Sequence, residues 1–486
     1  MQAEAVSSDQ PLFSKKLLPS LAIALLGALI AVRWGGIGAA IFFVGYIWMT
    51  WVSLPAAAIL YIVAAPFPLG IVFHHHKFYA ADFMAIVMAL KLIRDHWVEG
   101  ITGLARRFFP QPYRWPLVFL FIMAILSLAS SLSHFGTVIK ILEYLEFFVV
   151  MVAVFREYGD NNAIWNWYLA ALFVVVSVMV LYGLYQFMLQ LGPVYNIVDG
   201  HHVRATGFFG QPNVFGGFSD QTFPLLAALV ALGPPSLRQG WLKVALGLTA
   251  LGVVISYSRG SWVADAGSVF FMGVLIALTR GRQALKRFAS FGILVPIVMF
   301  VVVFLLGKTD LSHTALYVGA HKNTLERLTT TVTAVINPAG HFDTDQRLLI
   351  WKSALSAIRQ HPLLGVGLGN FHLFIQQHPP KGLAGIPPMA HDLYLEWGAD
   401  MGIGGIVAAL WLEWSWLASS VRLVREKTAA LSPYWYALLV GAFGTMTAFV
   451  IHNWVDFLID QGVILPLLLA LAAVSVAWER YGRHRS

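Results

Sequence analysis

Apolar residues along this chain fall in long, nearly uncharged stretches joined by short polar segments, with no sustained alternation of apolar and polar positions. About 20 apolar residues in a row cross a bilayer as a helix. Stretches of that kind occupy residues 17–33, 36–53, 54–72, 78–94, 115–133, 138–155, 165–190, 213–233, 241–257, 261–280, 288–307, 393–419, 433–456 and 461–480. They predict an all-α protein, a polytopic transmembrane helical bundle. The second and third stretches are parted only around Ser53 to Pro55, and Pro66 and Pro68 interrupt the third, so the expected count is 12–14 spans. Only residues 308–392 form a sizeable segment outside these runs. The expected organisation is an N-terminal transmembrane bundle over 1–307, a loop domain over 308–392 and C-terminal transmembrane helices over 393–486. The loop carries turn signals at Asn337-Pro338 and His378-Pro379-Pro380, and an amphipathic run from Arg347 to Ile358 predicts a helix suited to the membrane interface. It reads as a folded, partly helical segment and not as a linker.

Composition agrees with a lipid solvent: 58% of residues are hydrophobic and 12% charged, against roughly 25% charged in soluble domains. The net charge of +8 does not mark a nucleic-acid binder, because no basic run is interleaved with aromatics and the charges sit at the ends of apolar runs. They report topology instead. With the N-terminus inside, twenty of the 32 Lys and Arg residues fall on one face, which the positive-inside rule makes cytoplasmic. Seven more lie in residues 308–392, and only five (Arg33, Lys77, Lys140, Arg204 and Arg259) occupy short loops on the opposite face. The long loop is therefore expected outside. The first apolar run follows Lys15 and Lys16 as a signal-peptide core does, but a second run follows at once without a cleavage pattern, so the first is expected to be a retained helix. The absence of cysteine excludes disulfides, thiolate metal sites and a cysteine nucleophile.

The short-loop cations stand where the positive-inside rule does not favour them. Arg204 opens Arg204-Ala205-Thr206-Gly207-Phe208-Phe209-Gly210-Gln211-Pro212-Asn213, and Arg259 lies in Ser258-Arg259-Gly260 between two spans. Each arginine either snorkels to headgroup phosphate or serves a site at the mouth of the bundle. The long loop adds Arg347, four residues before Trp351, and His391 at the start of a span. A histidine there is either a helix-end hydrogen-bonder or a general base for a hydroxyl group at neutral pH. Gly365, Gly367 and Gly369 lack a preceding strand and the spacing of a nucleotide fingerprint, which leaves a turn or helix packing. His74-His75-His76-Lys77 has no acidic or thiol partner at ligand spacing, so no metal site is expected. Asp82, Asp265, Asp456 and Asp460 lie within or beside spans and could form a proton or ion relay of the transporter kind. No nucleophile elbow and no glycosidase-like carboxylate pair is evident.

Taken in order, Arg204 to Asn213 (Arg-x-x-Gly-x-x-x-x-Pro-Asn), Ser258-Arg259-Gly260, Arg347 to Trp351, His361 to Phe371 (His-Pro-Leu-Leu-Gly-x-Gly-x-Gly-Asn-Phe) and Ala390 to Leu395 (Ala-His-x-x-Tyr-Leu) resemble the O-antigen ligase and polymerase superfamily of integral membrane glycosyltransferases, over roughly residues 200–420. Met401 stands where a ligase pattern places glycine, with Gly402 next. The resemblance implies transfer of a glycan from an undecaprenyl-pyrophosphate-linked donor to a hydroxyl acceptor at the periplasmic face of the bacterial inner membrane, with no nucleotide sugar, metal or cofactor. It implies His391 as general base, Arg204 and Arg259 as catalytic cations at the pyrophosphate, and Arg347, Asn213, Tyr394 and Lys77 as substrate-binding residues. The expected partners are that donor, membrane lipids and a lipid A-core or other glycan acceptor, with no nucleic acid. An O-antigen ligase of lipopolysaccharide biosynthesis, a polymerase and a protein O-oligosaccharyltransferase all fit, and a flippase for the same lipid is the alternative of another class. The oligomeric state is left open.

Overall fold

The computed structural model describes residues 17–306 and 342–482, apart from residues 32, 34, 68, 74, 75, 193–196, 199–201, 238, 239 and 461. Asn337-Pro338, His74 and His75 lie outside the described residues. The all-α expectation holds: helices are joined by turns, and among the described residues the strands form two short hairpins, β1 (Gly70–Phe73) with β2 (His76–Tyr79) and β3 (Ile197–Val198) with β4 (His202–Val203). The chain divides into two compact units.

The first unit takes residues 1–110 and 145–172. Helices α1 (Leu17–Ala31) and α2 (Gly35–Val52) meet through Gly27 and Gly45, where an added Cβ would run into the backbone of Phe42 and Ala24. Small residues let apolar helices approach closely, and in lipid, where no hydrophobic force brings helices together, that close packing is what associates them. The break around Ser53 to Pro55 is a helix start: Ser53 caps α3 (Leu54–Ala64) by accepting from the Ala56 N–H, with Pro55 in the first turn. Asp82 accepts from the Tyr79 N–H at 2.7 Å at the start of α4 (Ala80–His96), which accounts for one of the four aspartates as a cap. Glu146 is buried and accepts from the Tyr61 hydroxyl at 2.8 Å.

The second unit takes residues 111–144 and 173–486. It includes α6 (Arg114–Leu126), α7 (His134–Tyr144), the later part of α9 (Asn162–Met188), α10 (Pro212–Leu232), α11 (Gly240–Ile255), α12 (Arg259–Gly292) and α13 (Leu294–Leu306), with α5 (Gly100–Phe108) and α8 (Val152–Glu157) belonging to the first unit. Along α10 every residue of its apolar window is buried, as expected of a helix surrounded by other helices. Its polar run, Ser219-Asp220-Gln221-Thr222, is wholly inside. C-terminal helices α14 (Phe342–Gln360), α15 (Phe371–Gln377), α16 (Leu393–Met401), α17 (Ile403–Glu426), α18 (Pro433–His452) and α19 (Leu465–Tyr481) complete the unit. The Thr445 hydroxyl of α18 donates to the Gln221 carbonyl of α10 at 2.7 Å.

Among the described residues, five helices are long and apolar enough to cross a membrane, and four shorter apolar helices accompany them. The fourteen apolar stretches of the sequence are thus broken more often than hydropathy alone suggests. A 3₁₀ turn follows α6, a π-helical stretch at Leu145–Met151 sits between α7 and α8, and α12 kinks at Gly281, with φ of 72°.

The Arg347 to Ile358 run is helical, inside α14, and its Ala354 and Ala357 are buried against Val366, Phe371, Phe374 and Ile375. Gly365, Gly367 and Gly369 are turn glycines at φ of 66°, 98° and 78°. They bring three successive N–H groups, of Gly369, Asn370 and Phe371, to the Asp400 carboxylate at 2.6, 3.1 and 3.0 Å. Gly402, one place beyond Met401, takes φ of 68° and separates α16 from α17. An alanine at Gly365 would be strained by its φ and would sit on the Asp400 backbone. We expect Gly365→Ala to cost roughly 3 kcal/mol or more, read as a lower melting temperature in detergent; an unchanged melting temperature would refute this account of the motif.

Candidate functional site

The site grows from three chain turns in the second unit. In the first, residues 204–206 run extended between the ends of α9 and α11. The Val203 and Thr206 N–H groups donate to the side-chain oxygens of Gln190 and Gln186 at 2.8 and 3.1 Å, and the Ala205 N–H donates to the Ile255 carbonyl at 3.1 Å. So held, half-buried Arg204 donates through Nε to the Ser256 carbonyl at 2.8 Å and through Nη2 to Asn213 Oδ1. Asn213, expected to touch substrate, is an orienting partner of the arginine. Two of the five donors of this guanidinium are thereby fixed.

Three residues beyond Ser256, Arg259 begins α12, whose N-cap Ser258 accepts from the Ser261 N–H at 3.4 Å. A cation in the first turn opposes the helix dipole, so it does not serve helix stability. Standing at the N-terminal end of a helix dipole, it favours an anion there.

The third turn carries His391. Its backbone is left-handed at φ of 54°, a strained conformation for a residue with a side chain. Neighbouring groups impose it. The Leu393 N–H donates to the Asn453 carbonyl at 2.9 Å, the Trp351 indole donates to the Ala390 carbonyl at 3.2 Å, and the Ala390 N–H donates to Glu396. Trp351 therefore anchors the segment that presents His391. Asp392, not His391, caps α16, accepting from the Leu395 N–H at 2.8 Å. This frees the imidazole, whose Nδ1 lies 2.9 Å from Asp456 Oδ1.

Asp456, in the turn after α18, is 3% exposed in its side chain. Burial raises its pKa, but the hydrogen bond and charge of His391, with Arg347 and His452, outweigh that and hold it well below the usual carboxylate range. Arg347 Nη2 stands 4.0 Å from its other oxygen, Oδ2. An ionised carboxylate only accepts, so Nδ1 of His391 carries a proton toward Asp456, and Nε2 is the ring nitrogen left facing away from the carboxylate. A carboxylate that orients an imidazole in this way prepares it to take a proton.

These turns are contiguous. Arg204 binds Ser256; Gly260, next to Arg259, lies against His452 and Val455; Val455 adjoins Asp456; Asp456 binds His391. The fold thus gathers Arg204, Asn213, Arg259, Arg347 and His391. Tyr394 is braced elsewhere, its hydroxyl donating to Glu413 at 2.7 Å and its ring packing edge-on against Trp454. Lys77 belongs to the first unit, exposed on β2 opposite Val72. Lys140, another of the short-loop cations, pairs with Glu143 at 2.8 Å. Asp456 is the site residue the sequence does not single out: it appears there as one of four membrane-flanking aspartates. Its spacing behind His452 in a turn at the end of a span is the one available signal. Below Arg259, α11, α12 and α13 line an open apolar pocket of about 700 Å³, with Trp262, Val269, Phe270, Ile293 and Phe300 in its walls beside buried Asp265.

A family model described as O-antigen ligase matches residues 244–410. The matched stretch includes Arg259, Arg347, His391 and Tyr394 and excludes Arg204, Asn213 and Asp456. No curated protein matches the chain.

A depressed carboxylate pKa means that the stability contributed by Asp456 is present above about pH 4, the ordinary value, and is lost only as pH falls through the depressed one. We therefore expect Asp456→Asn to be less stable than wild type by on the order of 2 kcal/mol at neutral pH. The difference in thermal unfolding should not shrink between pH 7 and pH 5 and should close only under stronger acid. A gap that closes by pH 5 would contradict the assigned charge state.

Proposed function

Given that the chain belongs, through residues 244–410, to the O-antigen ligase and polymerase superfamily of membrane proteins, we propose that it transfers a glycan from undecaprenyl pyrophosphate to a hydroxyl group at the periplasmic face of the inner membrane. The observation that carries this reading is the oriented His391–Asp456 pair beside two arginine-bearing turns. In the reaction, the acceptor oxygen bonds to the anomeric carbon as the bond from that carbon to the pyrophosphate oxygen breaks. The hydroxyl proton passes to Nε2 of His391, a step worth roughly 10²- to 10⁴-fold in rate. Charge grows on the departing pyrophosphate. Arg204 and Arg259 supply fixed guanidinium groups there, doing the electrostatic work that a metal ion does in other transferases.

Arg347 lies on the far side of Asp456 from the imidazole and helps to keep the carboxylate ionised, while its remaining donors can meet substrate. The apolar pocket runs along α12 below Arg259, residue after residue on one face (Trp262, Val269, Gly273, Ala277). It suits the polyprenyl chain of a carrier whose pyrophosphate sits at the start of the same helix. The charge asymmetry of the sequence supports a periplasmic site. The acceptor we favour is lipid A-core, making the protein an O-antigen ligase of lipopolysaccharide biosynthesis; a growing carrier-linked glycan and a protein hydroxyl are the acceptors that would make it a polymerase or a protein O-oligosaccharyltransferase.

The test is to supply purified full-length protein with undecaprenyl-pyrophosphate-linked glycan and each acceptor in turn, in detergent containing EDTA. Product on lipid A-core is expected, and product on another acceptor alone would replace the ligase assignment. His391→Ala should lower turnover at least about 10²-fold, and wild-type turnover in that variant would end its role as base. Arg204→Lys and Arg259→Lys should each lose most activity despite keeping charge, since an ammonium cannot reproduce the planar fork. Full activity in both would leave them as snorkelling cations.

A further inference from the structure

A second histidine–carboxylate pair lies behind the first. His452 Nδ1 is 2.6 Å from Asp220 Oδ2, and the two side chains are 1% and 0% exposed. Neither residue touches the solvent side of the site, and the mechanism above uses neither. A buried ionisable pair costs desolvation and is poor evidence of stability in itself. What distinguishes this one is where its two halves are attached.

His452 is the last residue of α18, and its carbonyl accepts from the Val455 N–H at 3.0 Å, opening the turn that delivers Asp456. The imidazole also lies flat against the start of α12: a Cβ added to Gly260 would sit 2.7 Å from both Cδ2 and Nε2 of the ring and 3.1 Å from Val455. Asp220 belongs to α10, seven residues after Asn213, which holds Arg204. The Ser261 hydroxyl, from the first turn of α12, faces the same carboxyl group. One hydrogen bond thus joins α10, which bears Arg204's partner, to the end of α18, which leads to the orienting carboxylate of His391, and the same ring packs against the start of α12, which bears Arg259.

We propose that His452 and Asp220 form a positioning brace that sets the spacing between the arginines and the histidine base, with a glycine required at 260 because the ring occupies the place of a side chain there. The inference rests on the functional reading above. Its physical basis is geometric: electrostatic stabilisation of a leaving group and proton transfer both fall steeply when donors shift by a fraction of an ångström to 1 Å. An added methyl at Gly260 must displace either the ring or the start of α12. Loss of the Asp220 acceptor releases the ring.

Three variants of the full-length protein test this. Gly260→Ala should remain folded; Asp220→Leu removes one partner of a buried pair and inserts a larger side chain, so its turnover is read per folded molecule, below its own unfolding transition. Each should lose roughly ten- to a hundredfold in kcat. Asp220→Asn keeps an acceptor oxygen for Nδ1 and should restore most of that loss. A second measurement is the affinity for geranylgeranyl pyrophosphate. Gly260→Ala should weaken it, and combining Gly260→Ala with Arg259→Lys should weaken it little beyond Arg259→Lys alone, since coupled residues are not additive. Folded Gly260→Ala and Asp220→Leu with wild-type kcat, or losses of affinity that add in full, would overturn the brace. If the wild-type protein transfers glycan to no acceptor, the functional reading fails, while the affinity cycle still decides the brace.

Discussion

An ionised carboxylate buried at the end of an apolar bundle must be neutralised where it stands, and Asp456 is the clearest case in this protein. An uncompensated buried charge typically costs about 3 to 5 kcal/mol. Here the carboxylate receives the Phe457 N–H and the His391 ring on one oxygen and has the Arg347 guanidinium 4.0 Å from the other. Those partners come from the turn after α18, from the segment before α16 and from α14. The charge therefore fixes the long loop onto the bundle as well as the tautomer of His391. Stability and the orientation of the imidazole draw on one interaction.

The glycines around it serve the same end by letting backbones approach. Gly365, Gly367 and Gly369 turn the chain so that three N–H groups converge on Asp400, and this holds the α15 region against α16, which begins two residues after His391. Glycine and carboxylate act together there: the left-handed turns expose donors that a helix would have used internally, and the buried Asp400 accepts them. A sequence motif rich in glycine next to a histidine thus has a scaffolding role.

Much of the site was legible because membrane topology makes certain charges expensive or unexpected. Arg204 and Arg259 stood out as cations on the wrong side of a strong Lys and Arg asymmetry, and His391 as an imidazole opening a span. Other conspicuous residues had local explanations that hydropathy could not supply. Asp82 caps its own helix, Lys140 pairs one turn along, and Tyr394 reaches Glu413. Asp456 and the pair His452–Asp220 were not legible as partners. Their contacts join residues 65 and 232 positions apart, and such distances leave no periodicity or spacing to detect.

Sequence alone determined the apolar solvent of this protein, its helical class, the asymmetry of its charges and an order of motifs that resembles the O-antigen ligases. All of these are additive or local properties: hydropathy summed over a span, charge counted per loop, residue types at short spacing. Tertiary structure decided which aspartate meets which histidine, which arginine donors are already committed and where apolar helices break. Those outcomes depend on desolvation and hydrogen-bond geometry, which exist only once distant segments exclude water together.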